Sequence, residues 1–115
     1  MLVVFSAPIV PVFQIISIAV YTAGTMVEAL CVIKGKVQRV GFRAYAESEA
    51  KDGGVTGWIE NRPDGTVAVL VQGMPDAVRY FIEVLHEGSV LAEVSEVAVE
   101  WRSPQQLFDD FVVKY

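Results

Sequence analysis

Apolar and polar positions follow two rhythms along residues 27 to 115. Val27 to Lys34 (VEALCVIK) has period two, with Ala29, Cys31 and Ile33 on one side and Leu30 and Val32 on the other. Apolar residues on both faces predict a strand inside a sheet. Phe42, Ala46 and Ala50 recur every four residues, with Glu47 and Glu49 turned outward, so Phe42 to Lys51 reads as a helix. Asp52-Gly53-Gly54 ends it in the manner of a glycine cap. Val55 to Asn61 and Thr66 to Gln72 are strands, and the Arg62-Pro63-Asp64-Gly65 turn signal between them makes a hairpin. Pro75 opens a second helix, a favoured place for proline. Its apolar stripe is Val78, Phe81, Ile82 and Leu85, and Gly88 ends it. Val97, Val99 and Trp101 alternate with Ala98 and Glu100 in a fourth strand over Val94 to Trp101. After Ser103-Pro104, Phe111, Val113 and Tyr115 alternate in what reads as a short edge strand.

The order β-α-β-β-α-β predicts an α+β chain of ferredoxin-like type. It would be a sandwich of a four-stranded antiparallel sheet with two helices on one face, plus the short C-terminal edge strand. That fold serves enzymes, regulators and RNA binders, so it does not give function by itself.

Charge divides the chain in two. Residues 1 to 27 contain no Asp, Glu, Lys, Arg or His, and all 9 basic and 14 acidic residues lie between Glu28 and Lys114. The expected organisation is an uncharged apolar extension over 1–25 and a folded domain over 26–115. The extension is long and apolar enough for a membrane span. Pro8 and Pro11 interrupt it, however, and no basic residue flanks its start. Three origins are compatible with it: an upstream start codon ahead of Met26, a signal or membrane anchor, or a folded extension.

At 115 residues and 53% hydrophobic, the chain is one domain with enough apolar content for a core. The single cysteine, Cys31, excludes an internal disulfide framework and a cysteine zinc site. One histidine, His86, excludes a polyhistidine metal site, so no metal and no cofactor is expected. A net charge of −5 disfavours nucleic acid as a partner, since phosphate contacts need excess Lys and Arg. Cys31 sits mid-strand and reads as a small buried hydrophobe. His86 reads as a surface residue near a helix end.

Two segments carry candidate chemistry. Gly35-Lys36-Val37-Gln38-Arg39-Val40-Gly41-Phe42-Arg43 joins a strand to a helix. Helix N-termini have orphan N–H groups and a positive dipole end, which suits an anion. Arg43 in the first turn is unfavourable for the dipole unless an anion lies between the two. The backbone from Gln38 through Arg39, Val40, Gly41 and Phe42 to Arg43 would form a phosphate-binding nest, with the Arg43 guanidinium adding two parallel donors. The alternative is a glycine-bearing connection with solvated basic residues. The second segment is Gly57-Trp58-Ile59-Glu60-Asn61-Arg62-Pro63-Asp64-Gly65-Thr66-Val67. There Asn61 either approaches the anion loop or simply starts the turn.

GKVQRVGFR and GWIENRPDGTV closely resemble the two signature segments of the acylphosphatase family, G-x-V-Q-G-V-x-F-R and G-W-V-x-N-x-x-D-G-x-V. The resemblance spans residues 28 to 115 and includes Gly73 and Ala92-x-Val94. One departure is Arg39, where the family commonly has glycine. If that position needs positive φ, Arg costs about 1 kcal/mol there. The resemblance implies hydrolysis of acyl phosphates to a carboxylate and inorganic phosphate. Arg43 and Asn61 would be the catalytic residues, Arg43 with the loop amides holding the phosphoryl group and Asn61 orienting a water. It also implies a small-molecule acyl phosphate as partner, a monomeric core domain and a cytoplasmic location, with membrane contact open to the extension. The competing reading is a non-catalytic anion-sensing module on the same scaffold.

Overall fold

The computed structural model describes residues 25–115. All of the 1–25 extension except Thr25 lies outside the described residues, and so do the expectations placed on it. The elements run β1 (Val27–Lys36), α1 (Phe42–Gly53), β2 (Thr56–Asn61), β3 (Val67–Gly73), α2 (Pro75–Glu87), β4 (Glu93–Arg102) and β5 (Phe111–Lys114). They form one sheet in the order β4-β1-β3-β2-β5. The arrangement is α+β and ferredoxin-like.

The strand count corrects the expectation of a four-stranded, wholly antiparallel sheet. β5 is a fifth strand and pairs parallel to β2, through Gly57–Phe111 and Ile59–Val113. The other ladders, β1 with β3, β1 with β4 and β2 with β3, are antiparallel. The sheet is therefore mixed. β1 is interior, as its two apolar faces require.

Register decides which side chains share a face. Cys31 lies opposite Val69 and Val99, and Val69 lies opposite Ile59. Cys31, Val69 and Ile59, with Ala29, Ile33, Val67, Val71 and Phe111, form one core cluster with Phe42, Ala46 and Ala50 of α1 and Val78, Phe81 and Leu85 of α2, and the partly buried Val99 packs against it. Full burial of each such aliphatic side chain contributes about 1.5–3 kcal/mol. Phe111 meets Phe81 edge-on at 5.6 Å, a geometry that favours aromatic pairs. The last strand is thereby locked onto α2. Cys31 is fully buried, and desolvation pushes its thiol up to about 12. It stays a neutral thiol and packs as the small hydrophobe that its position predicts. His86 is exposed in the last turn of α2.

The opposite face carries a polar network that sequence periodicity does not reveal. Glu28 is 5% exposed. Its carboxylate accepts from Arg102 Nε at 2.6 Å and from Gln72 Nε2 at 2.8 Å. Gln72 Nε2 also donates to the Gln106 carbonyl at 2.5 Å, and Gln72 Oε1 accepts from Phe108 N–H at 3.1 Å. A buried carboxylate needs such partners. Together they hold the 103–110 connection against the sheet and so aim the chain into β5.

Candidate active site

The loop between β1 and α1 is shaped by its apolar residues. Val37 and Val40 are buried at 1% and 9% exposure, so the backbone between them turns outward. Gly41 caps α1 in the left-handed region at φ 77° with no side-chain cap. No side chain of α1's own start thus claims its first N–H groups. Arg39 is also left-handed at φ 62°, the sole non-glycine at positive φ among the described residues. The positive φ raised for this position as a condition is therefore met.

That strain gives an expected stability result. Relieving a left-handed non-glycine gains about 1–2 kcal/mol, and the extra freedom of glycine in the unfolded chain gives back about 0.5–1 kcal/mol. Arg39→Gly should therefore raise the melting temperature by about 2–5 °C in a domain of this size. Calorimetry checks it, and an unchanged or lower Tm would mean that the Arg39 side chain contributes more than the strain costs.

The two motif segments are fastened together by Gln38. Its Nε2 donates to the Arg62 carbonyl at 2.8 Å and to the Thr66 carbonyl at 2.9 Å. Asp64 shapes the same turn, accepting from Thr66 N–H at 3.0 Å and Thr66 Oγ1 at 2.6 Å. Those hydrogen bonds hold its carboxyl below the usual range. The β2–β3 turn is thus tied to the β1–α1 loop, and Asn61 ends β2 beside it.

A cavity of about 200 Å³ opens where these parts meet, lined by Val37, Arg39, Gly41, Phe42, Arg43, Ala44, Glu47, Asn61, Val113 and Tyr115. Arg43 and Asn61, from different elements, face the same space. Of the loop residues expected to bind an anion, Arg39, Gly41, Phe42 and Arg43 line the cavity. Gln38 and Val40 do not. The Gln38 side chain serves the turn, and Val40 packs inward while its carbonyl accepts from Ser89 Oγ at 2.8 Å.

The last residues of the chain are a component that the sequence motifs missed. Arg43 Nη1 donates to the Lys114 carbonyl at 3.4 Å, and its guanidinium lies 4.8 Å from the Tyr115 ring centroid. Parallel pairing of Ile59 with Val113 explains this. Asn61 and Tyr115 each follow two residues later on the same face. The Phe111-Val113-Tyr115 alternation was the available signal, and its parallel register was not. Asn61 Oδ1 is buried without a hydrogen-bond partner among the described residues. Such an orphan costs about 1–3 kcal/mol, and Thr56 Oγ1 is the other one among the described residues.

A larger cavity of about 330 Å³ lies on the other sheet face, lined by Glu28, Trp58, Leu70, Arg102, Ser103, Gln105, Gln106 and Phe108. Glu28 and Arg102 there are spent on each other. Among the described residues no group of three His, Cys, Asp or Glu side chains is placed to hold a metal ion.

Known proteins share this fold. The acylphosphatase family model matches residues 30–113. An acylphosphatase of Thermococcus kodakarensis is 45% identical over 75 residues, which are 65% of this chain and 82% of that protein. One of Bacillus licheniformis is 33% identical over 90 residues, 78% of this chain and all of that protein. The crystal structure of acylphosphatase from Bacillus subtilis superimposes with a TM-score of 0.76 at 30% identity, covering 77% of this chain and 99% of that one. Fold and sequence agree over nearly the whole described region, and the chain belongs to the acylphosphatase family.

Proposed function

We propose that the protein hydrolyses acyl phosphates in the 200 Å³ cavity, with Arg43 and Asn61 as the catalytic residues. The observation that carries the reading is their meeting at a helix start with no side-chain cap. Those N–H groups of the Gln38–Arg43 loop that face the cavity, at Arg39, Gly41, Phe42 and Arg43, and the Arg43 guanidinium hold the phosphoryl oxygens, while Gln38 and Val40 shape the loop. The Asn61 amide orients a water in line with the bond to the leaving carboxylate. Water oxygen bonds to phosphorus and the phosphorus–acyloxy bond breaks. One water proton passes to a phosphoryl oxygen, and the carboxylate leaves as an anion. A carboxylate is a good leaving group, so positioning and charge stabilisation supply most of what phosphoryl transfer needs.

Release of benzoate from benzoyl phosphate by the full chain tests this reading. Saturable turnover supports it. Phosphate binding without turnover would instead favour an anion-sensing module.

The catalytic unit in this reading is residues 26–115, a monomeric core acting in the cytoplasm. The single cysteine, buried and unpaired, is in keeping with a reducing compartment. Among the described residues no helix is long and apolar enough to cross a membrane. Both sequence motifs fall after residue 26, and so do the seven elements of the described residues. A chain of residues 26–115 should therefore fold and keep the specific activity of the full chain. Side-by-side assay and thermal unfolding check this, and an unfolded or inactive short chain would put the boundary elsewhere.

A further inference from the structure

Three charged side chains line the cavity: Arg39, Arg43 and Glu47. Two of them have partners. Arg43 rests on the Lys114 carbonyl and the Tyr115 ring, and Glu47 pairs with Lys51 at 3.3 Å. Among the described residues Arg39 makes no ion pair, since the pairs present are Lys51–Glu47, Arg62–Glu60, Arg79–Asp76 and Arg102–Glu28. It is exposed, whereas Val37 and Phe42 of the same lining are buried, so its side chain belongs to the rim and not the floor. The chain keeps this guanidinium at a left-handed position where its backbone is strained. It does so in a protein of net charge −5.

The phosphoryl group does not need it. Loop N–H groups and Arg43 already supply the donors for those oxygens, and a leaving carboxylate requires no further cation. A free planar fork at the rim matches a carboxylate or phosphate carried elsewhere on the substrate. We infer that Arg39 is a specificity-determining residue that favours acyl phosphates whose acyl portion bears a second anionic group. This inference rests on the hydrolase reading proposed above.

The test compares kcat/KM for benzoyl phosphate, 4-carboxybenzoyl phosphate and 4-phosphonobenzoyl phosphate in the full-length protein and in Arg39→Gly. Glycine suits φ 62°, so the variant folds, and the readout is the ratio of each anionic substrate to benzoyl phosphate within one protein. The ratio should fall by about 1.4- to fivefold in Arg39→Gly, the range of an exposed charge pair. The two anionic substrates separate a carboxylate-selective from a phosphate-selective rim. About 1 M salt, with a screening length of about 3 Å, should lower the wild-type ratio and leave that of the variant unchanged. Equal ratios in wild type and Arg39→Gly for both anionic substrates, with turnover intact, would overturn the inference and leave the hydrolase reading standing. Failure of the wild type to turn over any of the three would overturn that reading and this inference with it.

Discussion

Arg43→Ala is expected to lower kcat/KM for benzoyl phosphate by about 10³- to 10⁵-fold, the range for an arginine placed on a transferring phosphoryl group. The fold should survive, because Arg43 lies outside the core cluster and makes only a long bond to Lys114 and a ring contact with Tyr115. Arg43→Lys should fail nearly as badly, since a point charge cannot offer two parallel donors. Thermal unfolding supplies the control. Phosphate bound only by the folded loop stabilises it by mass action, by about 2.7 kcal/mol at 100 times Kd. The wild type should show that shift and Arg43→Ala should lose it. Activity within about tenfold of wild type, about 1.4 kcal/mol, would remove Arg43 from the catalytic site.

Asn61→Ala should lower kcat by about 10²- to 10³-fold, the loss typical of one preorganised hydrogen-bonding group. Phosphate affinity should change little, because the proposed task of Asn61 is to hold the attacking water and not the phosphoryl oxygens. Its backbone pairing with Val67 is kept in the variant. Its Oδ1 has no partner among the described residues, so the substitution leaves no orphaned neighbour there and stability should hold or rise. Inhibition constants for phosphate, measured beside kcat, separate the roles. If affinity falls as far as kcat, Asn61 is a ligand contact or a turn residue.

Most of the fold was legible because each element carries a complete local signal. α2 has Pro75 at its start, a Val78-Phe81-Ile82-Leu85 stripe and Gly88 at its end, and it forms over Pro75–Glu87. The pairing of β5 was not legible. Four alternating residues define a strand but not its neighbour, and its partner depends on a long-range network. Glu28, Gln72 and Arg102 stand on three strands, yet together they hold the 103–110 connection that delivers Phe111 to Gly57. The same limit applies to the site. Arg43 and Asn61 could be named from their segments, but their shared cavity depends on Gln38 bonding the turn 24 residues away. Gln38 itself reads locally as a loop residue with an N–H to offer. The positive φ of Arg39 was legible only as a condition, since no local pattern of residue types sets that angle.

Hydrolysis of benzoyl phosphate in ¹⁸O-water tests the central claim most directly, because it asks which atom the water attacks. If the loop and Arg43 hold the phosphoryl group while Asn61 aims water at it, the phosphorus–oxygen bond breaks. One label should then enter each inorganic phosphate and none should enter benzoate. Label in benzoate would mean attack at the carbonyl carbon, which would contradict a site built to transfer a phosphoryl group to water.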